Sequence, residues 1–351
     1  MKGMCLVFSL VTTAGLFTFW FIGQSAFDDR GRHHRRVSLT RTSNASGILR
    51  TPVRGEDNVF FIESSCAISG PEKSTVTMKP RQACAVESAA SLNPKKSVYY
   101  IDTCLDVGEF GAAAFSEEVV RQVFHYANVF VFPVSMSSYL RRTPLEGWLE
   151  LGELNGSVYP VAHASDVLRL VTLWKYGGLY LDIDMVLVRP LDDLGWNFAV
   201  AESSTLVGNS VLSFSARGIG HEFAEMCLKE LAETYDGKVW DHNGPQLVTR
   251  VLRRLCDFAP VKLMHEETCS GFSVKRTETF FPFPYQLWQL LFSEELEDFV
   301  MRLVAREETH AVHAWNKMSR DRDVRVGSRQ PYAQLVARYC RRVCFSAGAV
   351  L

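Results

Sequence analysis

Two aspartates one residue apart, Asp182 and Asp184, interrupt the apolar run Leu-Tyr-Leu-Asp-Ile-Asp-Met-Val-Leu-Val at 179–188. Carboxylate oxygens in that pattern are ligands for Mg²⁺ or Mn²⁺, ions that keep open positions for water and substrate phosphates. If 180–188 forms a strand, its period of two turns Leu181, Ile183, Met185 and Leu187 to one face and both acids to the other. Two like charges that close repel, so a cation or solvent at the strand's end must relieve them. Solvated acids alone account for many isolated Asp-x-Asp pairs. The surroundings decide between the two.

Those surroundings begin with a helix. Val167, Leu170, Val171 and Trp174 recur at i, i+3, i+4 and i+7, which predicts a helix over 162–176 ended by Gly177-Gly178. It delivers Ser165, Asp166 and Arg169 next to the acidic strand, with Asp166 and Arg169 one turn apart on one side. An i,i+3 ion pair is one account of them; recognition of a phosphate or sugar by the forked guanidinium is the other. A diphosphate is the natural partner for a cation on two carboxylates. A sugar nucleotide loses UDP or GDP as its glycosidic bond breaks, and a divalent ion stabilises the charge developing on that leaving group.

Short apolar runs at 59–62, 98–101 and 128–132 read as buried parallel strands, with a helix expected at 82–92. Strands at 198–201 and 211–214 and helices at 221–234 and 246–255 follow the acidic strand. This βαβ succession predicts an α/β class with an open, mainly parallel sheet and helices on both faces. Such sheets bind ligands at the carboxyl ends of their strands. The 351 residues, 47 % apolar with a net charge of −1, permit one large core and do not suit an electrostatic nucleic-acid binder.

The stretch Ser165-Asp166-x-x-Arg169 … Gly177-Gly178-x-Tyr180-x-Asp182-x-Asp184 resembles the donor-site signature of retaining, metal-dependent glycosyltransferases. More narrowly, the chain is similar to the α-1,4-galactosyltransferase and α-1,4-N-acetylglucosaminyltransferase family. Segments beginning at Asn58, Cys84, Asp241, Phe281, His310 and Ala333 match that family in order over 58–344. The resemblance implies a glycosyltransferase A-type fold, a UDP-sugar donor carrying galactose or N-acetylgalactosamine, and Mn²⁺ or Mg²⁺ as cofactor. It also implies an acceptor such as lactosylceramide or a related glycan, joined through an α-1,4 bond. On it rest Asp182 and Asp184 as metal ligands and catalytic residues together with Gln246. Ser165, Asp166, Arg169, Gly177, Gly178, Tyr180 and Asn209 are then expected at the donor, the glycines leaving room for the nucleotide. His242, Asn243 and Trp315 are expected around the acceptor or donor pocket, and Asn209 in a polar turn between strands. His313, in the apolar run at 311–315, is the expected third metal ligand, because a buried neutral imidazole needs a partner. No residue identifies itself as a nucleophile.

Residues 4–23 carry no charge, and at about 1.5 Å per residue that length crosses a hydrocarbon core of about 30 Å. Phe17, Phe19, Trp20 and Phe21 at its far end favour an uncleaved signal anchor over a cleaved signal peptide. Residues 1–3 then form a cytosolic tail, 24–57 a stem rich in Arg, Ser, Thr and Gly, and 58–351 the catalytic domain. Arg30, Arg32, Arg35 and Arg36 after the span oppose this by a positive-inside count. The acceptor tripeptides at Asn44 and Asn155 and the cysteines argue instead for a lumen, hence a single-pass type II protein of the Golgi membrane. Of nine cysteines, Cys5 lies in the span and leaves eight, an even number suited to an oxidising compartment. Cys256 and Cys269 are expected to close a short loop and Cys84 to pair with Cys104. Two rival readings stay open: a metal-dependent hydrolase of nucleotide diphosphates, and a catalytically inactive glycan-binding partner.

Overall fold

The computed structural model describes residues 47–108, 115 and 117–351. The expected span at 4–23, the stem up to residue 46 and Asn44 lie outside them. Among the described residues no helix is long and apolar enough to cross a membrane.

The first half alternates as expected: β1 Asn58–Glu63, α1 Pro80–Leu92, β2 Ser97–Asp102, α2 Glu118–Val123, β3 Val129–Pro133, α3 Met136–Tyr139, α4 Pro160–Tyr176 and β4 Gly178–Leu181. Next come β5 Met185–Leu187, β6 Phe198–Ala201, β7 Val207–Phe214, α5 Ile219–Thr234, α6 Pro245–Leu255 and β8 Ser273–Lys275. The chain ends with α7 Glu297–Val304, β9 Ala311–His313, α8 Asn316–Ser319, α9 Pro331–Tyr339 and α10 Arg341–Ser346.

The main sheet has the order β3-β2-β1-β4-β7-β6-β8, with β7 antiparallel to both its neighbours and every other pair parallel. The chain steps outward from β1 to β2 and β3, then crosses back to place β4 on the other side of β1. That reversal opens a crevice beyond the carboxyl ends of β1 and β4. Both faces are covered: Val59 and Phe61 enter the core layer that includes α1, and Phe60 and Ile62 the layer that includes α4.

Four sequence expectations are corrected. The run 180–188 is not one strand. β4 stops at Leu181, Asp182-Ile183-Asp184 turn, with Met185 N donating to the Asp182 carbonyl at 3.0 Å, and β5 pairs with β9 in a separate two-stranded sheet. A turn lets both acids reach partners that an unbroken strand in the core would deny them. Asn209 lies buried inside β7 instead of in a turn. Residues 48–50, expected in the stem, pair with Val131 of β3 and bury Ile48, covering the sheet's edge. Cys84 pairs with Cys340 and Cys104 with Cys66, while Cys256–Cys269 forms as expected. Cys227 remains a buried thiol, so the even count does not mean complete pairing.

Candidate active site

Asp182 and Asp184 stand where the chain leaves the carboxyl end of β4, and β9 brings His313 beside them by pairing with Met185 of β5. His313 Nε2 lies 2.9 Å from Asp184 Oδ1 and 3.9 Å from Asp182 Oδ2. One ligand atom from each of the three residues falls within 4.8 Å of the others, a set able to hold a metal ion. Asp184 and His313 are buried, and Asp182 is open to the cleft with 27 % of its side chain exposed. Asp184 Oδ2 accepts the Asn316 N–H at 2.6 Å, and its carbonyl accepts Ala314 N–H at 3.0 Å. Burial pushes Asp184 toward its neutral form, yet His313 and the Asn316 N–H outweigh it and hold the carboxyl below its ordinary range. Burial likewise disfavours a charged His313, and Asp184 overrides it to raise the imidazole above 6.5. The hydrogen-bonded atoms of the pair, His313 Nε2 and Asp184 Oδ1, are among those a cation would take as ligands. Trp315, in the left-handed region at φ 55°, lays its ring 3.9 Å from that of His313.

Asp182 is held from behind by α4 and β7. Arg169 donates to Asp182 Oδ1 at 3.0 Å, to the Asn209 carbonyl at 2.8 Å and to Ser165 Oγ at 2.8 Å, and lies 3.3 Å from Asp166. Asn209 Nδ2 donates to Asp166 Oδ1 at 2.8 Å, and the Tyr180 hydroxyl to Asp182 Oδ1 at 2.7 Å. Burial raises Asp166 in spite of Arg169 and Asn209. Ser165, Asp166, Arg169, Tyr180 and Asn209 are thus one buried network ending on Asp182.

The segment holding Asp182, Asp184 and Arg169 lies within residues 79–200, matched by the family described as a glycosyltransferase sugar-binding region containing a DXD motif. His313 lies within 216–347, matched by the family described as the alpha 1,4-glycosyltransferase conserved region. Lactosylceramide 4-alpha-galactosyltransferase of Mus musculus is 30 % identical over 315 residues, covering 88 % of this chain and 81 % of that protein. The chain belongs to the α-1,4-glycosyltransferase family. The Homo sapiens lactosylceramide 4-alpha-galactosyltransferase is 31 % identical over 283 residues, covering 81 % and 75 % of the two chains. Alpha-1,4-N-acetylglucosaminyltransferase of Homo sapiens is 28 % identical over 261 residues, 74 % of each.

Other residues expected at the site of this glycosyltransferase take different places. Gly177 and Gly178 sit at the amino end of β4, on the sheet edge opposite the acids. A Cβ on Gly177 would lie 2.6 Å from Ala216 N and one on Gly178 2.6 Å from the Asn58 carbonyl, so their smallness serves strand packing and not the nucleotide. His242 Nε2 lies 2.8 Å from the Thr234 carbonyl oxygen. Asn243, fully buried, bonds both backbone groups of Asp236. The pair anchors the 236–244 loop and does not enter the cleft. Gln246 does, donating to Asp241 Oδ1 at 2.9 Å on the wall of a ≈ 700 Å³ cleft beside the acids.

Glu202, on the same wall, went unread in the sequence. Burial raises its pKa; His313 opposes that shift, and Asp182 and Asp241 add to it. The signal was its position: it directly follows the apolar run 198–201, at the same carboxyl edge as Asp182.

Proposed function

We propose that this glycosyltransferase moves a hexose, galactose or N-acetylgalactosamine, from a UDP-sugar to a glycolipid such as lactosylceramide or a related glycan. The product is an α-1,4 bond with the donor's configuration retained. The observation that carries the reading is the meeting of Asp182, Asp184 and His313 at the carboxyl edge of the parallel strands. It is supported by the family and by 30 % identity to a protein named lactosylceramide 4-alpha-galactosyltransferase. Two carboxylate oxygens with one imidazole nitrogen suit Mn²⁺ ahead of Mg²⁺, which favours oxygen alone. Bound there, a divalent ion supplies positive charge to the departing diphosphate. The chain's own contribution is to fix the ligands beforehand: Arg169 and Tyr180 orient Asp182, while the Asn316 N–H orients Asp184. The disulfides Cys66–Cys104, Cys84–Cys340 and Cys256–Cys269 among the described residues and the exposed Asn155 support a luminal domain on a type II Golgi anchor.

The test is a secreted form lacking residues 1–30, supplied with Mn²⁺, lactosylceramide and a panel of UDP-galactose, UDP-N-acetylgalactosamine and UDP-N-acetylglucosamine. One of the first two donors should give a glycolipid one sugar larger, with an α-1,4 bond by glycosidase digestion. Release of UDP with no acceptor-dependent product would make the chain a hydrolase, and full activity after EDTA treatment would remove the metal from the reading.

A further inference from the structure

The acids divide the carboxyl edge of the sheet into two flanks. On one lie β1, β2 and β3 and the crossover between β1 and β4, where an open α/β sheet takes its nucleotide. The ≈ 700 Å³ cleft opens on the other, at the turn joining β6 to β7 and the start of α6. Two routes tie it to the acids. Glu202 on its wall lies within electrostatic reach of His313 and Asp182. Tyr285 on its rim has its ring 6.0 Å from Trp315, which in turn covers His313.

Its chemistry differs from that of a diphosphate site. Its lining carries two acids, Glu202 and Asp241, and two arginines, Arg250 and Arg253, with no excess of positive charge to hold a diphosphate. Arg250 is already committed to Glu230 at 2.7 Å. Among the described residues the Glu202 carboxylate has no hydrogen-bond partner. Gln286 adds an amide, and Tyr285 an aromatic ring with 42 % of the residue exposed. Sugar hydroxyls donate to carboxylates and exchange hydrogen bonds with amides, while a sugar's C–H face lies on a ring. The volume falls in the usual range for small-ligand sites, about 300–1,000 Å³.

We infer that this cleft is the acceptor subsite, that it takes the uncharged, hydroxyl-bearing end of a glycan, and that Glu202 binds the acceptor's hydroxyls with Tyr285 as the stacking wall. The inference rests on the transferase reading and adds to it where the acceptor lies and which side chains select it.

The test uses the full-length, detergent-solubilised enzyme with UDP-galactose and octyl lactoside. Glu202→Gln removes the charge and keeps the size; Tyr285→Ala changes an exposed residue outside the core. Each should raise the KM for octyl lactoside about tenfold, the ~1.4 kcal/mol of one charge-assisted hydrogen bond or stacking contact, with the donor KM moving less than about threefold. Calorimetric titration of octyl lactoside into protein loaded with Mn²⁺ and UDP should weaken by the same factor, without depending on turnover. An unchanged acceptor KM in both variants, or a donor KM that rises as much, overturns the subsite. A wild type that hydrolyses UDP-galactose and binds no lactoside also removes the subsite, leaving the donor site standing. A wild type that neither transfers nor hydrolyses any UDP-sugar removes the transferase reading and the subsite with it.

Discussion

Replacing Arg169 separates donor contact from support of Asp182. Each of its N–H groups already has an acceptor. Nε donates to the Ser165 carbonyl at 3.1 Å, Nη1 to Asp182 and the Asn209 carbonyl, and Nη2 to Ser165 Oγ and toward Asp166. Only 6 % of the side chain is exposed, and its cationic carbon lies 4.5 Å from the centre of the Tyr180 ring. A lysine brings about three donors where arginine brings about five. Losing two bonds at about 1–1.5 kcal/mol each makes Arg169→Lys cost about 2–3 kcal/mol. Arg169→Met, which leaves buried Asp166 without a cation, costs about 3–5 kcal/mol. At about 2–4 °C per kcal/mol the Lys variant should melt about 5–10 °C lower. Because Asp182 also loses its clamp, the Mn²⁺ needed for half-maximal transfer should rise about tenfold. Thermal unfolding and a metal titration of activity measure the two effects. A Lys variant with wild-type melting and metal dependence but a greatly raised donor KM would refute the supporting role and put the guanidinium on the donor itself.

Three further outcomes are expected. His313→Ala should raise the Mn²⁺ requirement at least about tenfold. His310→Ala should leave that requirement unchanged, because His310 faces Asp193 at 3.0 Å and not the acid cluster; equal, small effects of the two would return His313 to a structural role. Burial holds the Asp102 carboxyl at about 6 in the folded state against an ordinary 3.8. The folded state therefore binds this proton more tightly, and stability present below about pH 4 is lost as pH rises through 6. At ~1.36 kcal/mol per pH unit the loss is at most about 3 kcal/mol. Asp102→Asn should recover it at pH 7.5 and not at pH 3, and an offset in denaturant midpoint independent of pH would refute this. Glycosidase treatment of the expressed chain should increase gel mobility, with Asn155→Gln reducing the shift and the double change at Asn44 and Asn155 abolishing it; an unshifted wild type would move the domain out of the lumen.

The elements most visible in the sequence were those whose signal is local. β1, β2 and β6 are nearly uninterrupted apolar runs because each is buried on both faces, β3 is apolar with one face buried and the other half-buried, and α4 shows its core side at helical spacing. The break between β4 and β5 has no such signal. Leu181, Ile183, Met185 and Leu187 keep alternating straight through it, and what ends β4 is its partners: β7 pairs with it only as far as Val211–Leu181, after which Asp182 N donates to the Ser210 carbonyl. Likewise Asn209 reads as a turn residue until Asp166, 43 positions away, accepts its amide inside the sheet. Cys84 finds Cys340 only because docking of α9 and α10 on α1 closes a separation of 256 residues.

The same distinction runs through the site. The acids and His313 were legible because carboxylate and imidazole are costly to bury without a partner, so their presence in apolar runs is itself a signal. Their supports were visible as residue types but not as roles. Arg169, Tyr180 and Asn209 are as compatible with holding a donor as with supporting Asp182, and only the complete count of hydrogen bonds assigns Arg169 and Tyr180 to Asp182 and Asn209 to Arg169 and Asp166. Glu202 is the opposite case, a carboxylate at the same edge with its hydrogen bonds unmade. Among the described residues the buried acids are answered, as Glu87 is by the backbone N–H groups of Arg342 and Val343 and by the Tyr126 hydroxyl, so a partly buried, unanswered carboxylate on a cleft wall is where a hydroxyl-bearing ligand completes the structure.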